Sequence, residues 1–172
     1  TGRAFAALKT DGSVVTWGGD DYGGDSSSVS SQLQSNVIHI FTTKFAFAAL
    51  KSDGSLIVWG NSTYGPGDSS SVSLLLQSGV IDVQSTEGAF AALKSDGTIV
   101  VWGRSGWGND LGNINNSNFI KIVGNQSAFS ALKNDGSVVS WGTVNSAGGD
   151  NSSVINQISS NVIDIFSSSY SF

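Results

Sequence analysis

The side chains that most often act in catalysis are scarce in this chain. His39 is the only histidine and there is no cysteine. His39 lies in the apolar segment VIHIF, and three similar segments have Asp82, Lys121 and Asp164 at the same place. This pattern predicts a solvent-facing polar position and not a general base, which would need a fixed hydrogen-bond partner. No Gly-x-Ser-x-Gly turn or phosphate-binding loop is present. We therefore expect no enzymatic activity and no cofactor.

Repeated carboxylates are the second candidates for chemistry. Four aspartates belong to Asp-Gly turns, which turn geometry explains: Asp11, Asp53, Asp96 and Asp135. Four more lie eight or nine residues after a repeated tryptophan, in Gly-rich loops: Asp25, Asp68, Asp110 and Asp150. One carboxylate per loop could join carbonyl groups around Ca²⁺, and Asp20 with Asp21 would make the first loop the best place for an ion. We favour turn and capping roles and predict no metal site.

Aromatic residues at equivalent loop positions are the stronger functional signal. Tyr22, Tyr64 and Trp107 each follow a strand tryptophan by five residues, and Ser146 takes this position in the fourth case. They either anchor their loops on a neighbouring sheet or bind a partner, since Tyr and Trp dominate interface energetics. A second variable set lies two residues before each repeated phenylalanine: Arg3, Phe45, Gly88, Ser127 and Tyr170. We predict a partner-binding face formed by Tyr22, Tyr64, Trp107, Phe45, Tyr170, Asp20, Asp21 and Arg104, with substantially exposed loop rings.

A phrase repeated four times positions these residues. Its phenylalanines are Phe5, Phe47, Phe90 and Phe129, at spacings of 42, 43 and 39, and Phe172 follows 43 residues later. Such a period indicates a repeat architecture in which neighbouring units bury each other's faces. Within a unit, FAALK and VVTW-like runs flank a Lys-x-Asp-Gly turn, which is typical of a β-hairpin. We expect the alanines to lie where the sheets converge, and the tryptophans (Trp17, Trp59, Trp102 and Trp141) to occupy equivalent positions between blades.

A further strand completes each unit. The segments VIHIF, VIDVQ, FIKIV and VIDIF begin at residues 37, 80, 119 and 162, and their second and fourth positions are always Ile or Val. Alternation predicts that these two positions share the buried face of the strand and that the polar third position faces solvent. The sequence therefore predicts an all-β fold: a single β-propeller domain over residues 1–172, built of four repeats of about 42 residues. The C-terminal strand is expected to complete the N-terminal blade, with Ile163 and Ile165 beside the Phe5–Trp17 hairpin of the same chain, although exchange between two chains or along a fibre is also possible.

The repeats V-V-x-W-G, S-x-V-I-D-I and A-L-K-x-D-G resemble those of the regulator of chromosome condensation superfamily. They are closest to the short repeats of beta-lactamase inhibitory protein II, a secreted bacterial propeller of that superfamily. The resemblance covers essentially the whole chain, with ALKSDG and QSGVIDV as the best-matching pieces. It implies a binding surface made of loops without catalysis, although the family's rings usually have seven blades and only four repeats are visible here.

Composition narrows the choice of partner. The formal net charge is −5, which disfavours nucleic acid. No apolar run is long enough to span a membrane. There is no methionine, from which we expect a mature product or a piece of a larger polypeptide. We also expect a location outside the cell or at its surface. We expect a protein-binding module, with either another protein or neighbouring copies of the same chain as the partner. The alternatives are a structural tile of a large surface protein and, less favoured, a carbohydrate-binding module.

Overall fold

The computed structural model describes residues 1–63, 65–143 and 149–168. Within these ranges the chain forms eleven antiparallel strands in four small sheets. The strands are β1 (Ala4–Leu8), β2 (Val14–Gly18), β3 (Val37–Thr42), β4 (Ala46–Lys51), β5 (Leu56–Gly60), β6 (Val80–Ser85), β7 (Ala89–Lys94), β8 (Ile99–Gly103), β9 (Phe119–Gly124), β10 (Ala128–Lys133) and β11 (Val138–Gly142). Short 3-10 helices occupy Asp20–Tyr22, Ser27–Leu33, Ser70–Leu76 and Ser152–Val154. None of the helices described is long and apolar enough to cross a membrane.

The four sheets are the blades of a propeller, as the repeats predict. The first has two strands, β1 and β2, and each of the others has three, in the orders β3-β4-β5, β6-β7-β8 and β9-β10-β11. The alanine-rich strands β4, β7 and β10 lie in the middle of their sheets, buried on both faces. The inner strands β3, β6 and β9 contact one another between blades, and β1 and β7 contact the inner strand of the next blade. The alanines therefore lie where neighbouring sheets pack together, and alanine is favoured there because flanking blades cover both faces of the middle strand.

The hairpin inside each blade follows from its Asp-Gly turn. In the second blade Gly54 has φ +77°, a conformation that side chains rarely adopt, and a Cβ there would lie 2.9 Å from the backbone nitrogen of Gly79. The Asp53 carboxylate accepts a hydrogen bond from the Ser55 backbone N–H at 2.9 Å. The turn sets the register, which places Phe47 opposite Trp59. The same turn and pairing recur in every blade.

Three of the four repeated tryptophans connect neighbouring blades. Each stacks on the phenylalanine of its own hairpin and donates its indole N–H to a loop carbonyl of the preceding blade. The pairs are Trp59 to Gly23 at 3.0 Å, Trp102 to Pro66 at 3.1 Å and Trp141 to Gly108 at 3.0 Å. Trp17 belongs to the first blade, has no described blade before it, and is 50% exposed. The prediction of equivalent tryptophans is confirmed for three positions and wrong for Trp17.

A β-bulge changes the alternation expected in the inner strands β3, β6 and β9. In β3 the register shifts between Val37 and His39, and β6 has the same shift. Ile81, at the second position of β6, is therefore exposed, whereas Val80 and Val83, at the first and fourth positions, are buried. The prediction that the second and fourth positions share a buried face is wrong because simple alternation does not allow for the extra residue.

The C-terminal strand does not complete the N-terminal blade within this chain. Residues 162–168 form no strand, and their described contacts are with the last blade: Lys121 pairs with Asp164, and the Ser167 hydroxyl donates to the Gly124 carbonyl at 2.9 Å. Ile163 is 95% exposed. The prediction that Ile163 and Ile165 lie beside the Phe5–Trp17 hairpin is therefore wrong for a single chain, whose first sheet keeps two strands.

Candidate functional site

The residues just before β1, β4, β7 and β10 lie together at one end of the blades. Backbone hydrogen bonds join successive blades there: Gly2 donates to Lys44 at 2.9 Å, Lys44 to Glu87 at 3.2 Å, and Glu87 to Gln126 at 2.8 Å. These four residues each lie three positions before a repeated phenylalanine. The opposite end of the blades holds the Asp-Gly turns, because each middle strand runs from one end to the other.

At this end of the blades, a polar residue four positions before each repeated phenylalanine accepts a backbone hydrogen bond at the start of the strand. Thr43 accepts the backbone N–H of Ala46 at 3.0 Å, and Thr86 accepts that of Ala89 at 2.9 Å. Thr1 and Asn125 do the same in the first and last blades. Thr86 also donates to the Trp107 carbonyl at 3.0 Å, which connects the entry of one strand to the loop that follows the hairpin. Because these bonds are buried or half-buried and repeated, the residues that follow are held on a rigid backbone.

The first group at this end contains Arg3, Tyr22 and Phe45. The Tyr22 ring stacks on Phe45 of the next blade, with ring centroids 5.7 Å apart. The Arg3 guanidinium lies 5.3 Å from the Tyr22 ring centroid, within the range of a cation–π interaction. Tyr22 and Phe45 are half-buried and Arg3 is exposed. The result is a stacked set of side chains with the cation at its outer side.

Trp107 repeats this arrangement two blades further on. Its ring packs over Gly88, where a Cβ would lie 3.1 Å from the indole, so the small residue makes room for the large one. The Arg104 guanidinium lies 5.8 Å from the indole centroid. Trp107 is half-buried and Arg104 is exposed. The two loops thus reach the same combination of a half-buried ring and an exposed arginine with different residues.

Charged residues of both signs lie at this end: the basic ones are Arg3, Lys44 and Arg104, and the acidic ones are Asp20, Asp21 and Glu87. Lys44 lies 5.7 Å from the Phe45 ring centroid and 3.5 Å from the Glu87 carboxylate. Among the residues that the structure describes, neither arginine has a carboxylate within salt-bridge distance. We name this surface the aromatic rim, and it consists of Arg3, Tyr22, Lys44, Phe45, Arg104 and Trp107.

The structure describes six of the eight predicted binding residues. Tyr22, Phe45, Arg104 and Trp107 belong to the aromatic rim, and the exposed Asp20 and Asp21 lie beside Tyr22 in the Asp20–Tyr22 helix. Tyr64 and Tyr170 lie outside the described residues. The two described loop rings are half-buried, less open than the substantial exposure we expected, because each packs on a neighbouring residue that precedes a strand. Lys44 and Glu87 were not among the predicted site residues; the signal for them was the variation three positions before each phenylalanine.

The repeated aspartates fill turn and capping roles. In the loops the backbone N–H of Ser27, Ser70, Gly112 and Ser152 donates to the carboxylate two residues earlier, at 2.8 Å each. In the Asp-Gly turns the Ser13 hydroxyl and backbone N–H hold the pKa of Asp11 down to about 2. Hydroxyl and backbone donors also lower the pKa of Asp53, Asp96 and Asp135. Within residues 1–63, 65–143 and 149–168, no three His, Cys, Asp or Glu side chains form a group that could hold a metal ion.

His39 is exposed on β3, where its ring lies 4.4 Å from the Phe41 ring. Asp82 takes the equivalent place in β6 and accepts the backbone N–H of Val83 at 2.8 Å. Lys121 takes it in β9 and pairs with Asp164. The position accepts an aromatic, an acidic or a basic side chain, which is typical of a solvated surface position.

Solved structures with similar folds include RCC1-like β-propellers. Human WBSCR16 has 23% identity and a TM-score of 0.55, over 81% of this chain and 45% of that one. The ectodomain of the Physcomitrella patens receptor kinase CR4 has 15% identity and a TM-score of 0.59, over 91% of this chain and 41% of that one. Prp20p of Saccharomyces cerevisiae, the yeast RCC1, has 18% identity and a TM-score of 0.54, over 84% of this chain and 42% of that one. The chain thus spans less than half of each of these proteins. Neither a protein-family model nor a curated protein sequence matches it.

Proposed function

We propose that this chain is a non-enzymatic module that binds a protein partner through the aromatic rim. The observation that supports this most directly is the repeated pairing of a half-buried aromatic ring with an exposed arginine, at Arg3–Tyr22 and at Arg104–Trp107. Tyr, Trp and Arg are the residues that contribute most to protein interfaces. The two rings are already held in place, so they lose little conformational entropy on binding. Among the described residues neither arginine has a carboxylate partner, so both guanidinium groups can donate hydrogen bonds to carboxylates of a binding partner.

The side chains of the aromatic rim favour one kind of protein partner. A suitable surface offers an apolar patch for the rings, bordered by acidic groups for the two arginines. A nucleic acid is not proposed, because the net charge is −5 and Lys44 is already paired with Glu87. We also propose an extracellular or cell-surface location, and a repeat type closest to that of beta-lactamase inhibitory protein II. Prp20p has binding properties toward Gsp1p and histones, and a structure of yeast RCC1 bound to Kap60 is known, so related folds act as protein binders.

The test is a comparison of protein capture by matched variants. Immobilised wild-type chain is incubated with an extract of the source organism, and captured proteins are quantified by mass spectrometry. Replacing Tyr22 or Trp107 by alanine should reduce the specific partner at least about tenfold, since hot-spot losses are about 2 kcal/mol. Lys94→Ala, at the opposite end of the blades, is the control and should leave capture unchanged. A partner retained equally by all variants would refute binding at the aromatic rim.

A structural tile is the second candidate, and a specific observation favours it. The Phe5–Trp17 face of the first sheet is uncovered, and residues 162–168 do not pair with any described strand. Both ends of the array of blades can therefore join another copy or another repeat. In that role the chain would form extended assemblies, which electron microscopy would detect directly. Single particles of uniform small size would exclude it.

A further inference from the structure

The first blade lacks its inner strand and the cover of a preceding blade. Phe5 and Trp17 stack at 5.4 Å as their equivalents do, yet they are 62% and 50% exposed. In the second blade the equivalent Phe47 and Trp59 are both 2% exposed. Lys9 also differs from its equivalents: Lys51, Lys94 and Lys133 donate to loop carbonyls, whereas Lys9 contacts Asp11 at 3.3 Å. The first blade therefore has the stacked ring pair of a blade interface but not the strand and the neighbouring blade that cover this pair elsewhere.

Residues 162–168 are held where the first strand of another blade begins. The backbone N–H of Val162 donates to the Gly136 carbonyl at 3.0 Å, as that of Val80 donates to Gly54 at 3.0 Å. The Ser167 hydroxyl donates to Gly124, as the Ser85 hydroxyl donates to Thr42 at 2.7 Å. The segment therefore lies beside β9 as β6 lies beside β3, with no hairpin to pair with.

The two ends are halves of an interface that the chain forms three times internally. In the second blade Ile40 pairs with Ala49 and Phe41 with Ala48. The third and fourth blades pair Val83 with Ala92 and Ile122 with Ala131 in the same register. Carried over, this register places Ile165 opposite Ala7 and Phe166 opposite Ala6. A cleft of about 450 Å³ beside Val138 and Ile165 lies where a neighbouring blade would pack.

We propose that a second copy of this 172-residue chain fills these positions, each copy giving residues 162–168 to the first blade of the other. The interface is continuous with the established contacts between blades, which identifies its occupant as another blade of the same repeat. Within the described residues, no backbone hydrogen bond or salt bridge joins β1 or β2 to residues 149–168 of the same chain. The chain superposes on 41–45% of the length of three larger proteins, as an array that forms part of a larger ring would.

Two copies that exchange these segments complete each other's first blade and close one ring, which leaves no free edge. The exchange covers Trp17 with the last blade of the other copy, as the first blade covers Trp59 within one chain. It also gives the backbone N–H of Thr10 an acceptor in the Asn161 carbonyl, as Ser52 has in Asn36 at 2.9 Å. This inference does not depend on the proposed function, because it concerns the edges of the array and not the aromatic rim.

The first test is the mass of the full chain in solution, by light scattering or native mass spectrometry at micromolar concentration. We expect twice 17.7 kDa. Ile165→Asp places a carboxylate at a position whose equivalents Val83 and Ile122 are 1% exposed, and should weaken association at least about 100-fold. Ile163→Asp is the matched control and should stay paired, because the equivalent Ile81 is 57% exposed in a complete blade.

The second test is a cross-link that shows which chain supplies the strand. The protein has no cysteine, so Ala6→Cys and Phe166→Cys can be introduced together as the only thiols. Directly opposite residues in an antiparallel pair are close enough for a disulfide. Oxidation should give a covalent pair of chains. An internally cross-linked monomer, a ladder of larger species, or a wild-type chain that stays monomeric would each overturn the proposal; the last would favour a flanking repeat of a longer polypeptide as the occupant.

Discussion

Replacing Trp102 by alanine tests the packing between blades most sharply. Its ring is 3% exposed, lies 5.3 Å from the Phe90 ring, and donates to the Pro66 carbonyl of the preceding blade at 3.1 Å. Removing a buried aromatic side chain costs about 3–5 kcal/mol, which includes the cavity it leaves. The Pro66 carbonyl also loses its donor, for about 1 kcal/mol more. For a chain of this length a total loss of about 4–6 kcal/mol lowers the melting temperature by roughly 8–24 °C.

The assay is denaturant unfolding followed by far-ultraviolet circular dichroism, with two companion variants. Trp102→Phe keeps an aromatic ring but loses the hydrogen bond, and should cost about 1–2 kcal/mol. Ile81→Ala removes an exposed side chain, and should cost less than about 0.5 kcal/mol. A loss below about 1 kcal/mol for Trp102→Ala, or equal losses for Trp102→Ala and Ile81→Ala, would refute the argument that this residue joins two blades.

Two further outcomes follow from the turns. Hydrogen bonds from serine and threonine lower the pKa of Asp11, Asp53, Asp96 and Asp135 in the folded chain. The stability that these ionised carboxylates contribute is complete above the unfolded pKa near 3.9, and it is lost as the pH falls through the folded pKa values. Unfolding free energy should therefore fall between about pH 4 and pH 2, and Asp53→Asn with Asp96→Asn should flatten that fall in urea titrations; an unchanged slope would contradict it. Gly54→Ala should destabilise by more than about 1 kcal/mol, because its Cβ would meet the Gly79 backbone at 2.9 Å, and more than Gly112→Ala, which has φ +57° and open space around it. Equal melting temperatures for these two variants would refute the steric argument.

Local chemistry allowed the blade to be predicted from the sequence. The Asp-Gly turn fixes a hairpin within a few residues, and the recurring phenylalanine and tryptophan identify the faces that neighbouring blades bury. The bulge in β3 was not predictable, because the apolar residues Ile38 and Ile40 suit either alternation. Two contacts of Val37 decide between them: its pairing with Lys51 in β4, and the hydrogen bond from its backbone N–H to the Gly12 carbonyl of the preceding blade at 3.0 Å. The prediction that the ring closes within one chain was wrong for a similar reason, since the curvature of the array of blades does not follow from the sequence of any single repeat.

The candidate site was predictable in its position more than in its details. Counting from the repeated tryptophan identified Tyr22 and Trp107, because varied residues inside an otherwise constant repeat indicate freedom from the core. The stacking of Tyr22 on Phe45 joins two sets that are far apart in sequence, and only the fold brings them together. Lys44 was missed because its role depends on Glu87 of the next blade.

The most direct test of binding at the aromatic rim is a hydrogen-exchange footprint of the captured partner on the full chain. Exchange of backbone amides is compared with and without the partner, peptide by peptide. Protection should concentrate in the peptides around Arg3, Lys44 and Arg104, and peptides with the Asp-Gly turns at the opposite end should exchange unchanged. Protection confined to those turns, with the rim peptides unaffected, would contradict the account.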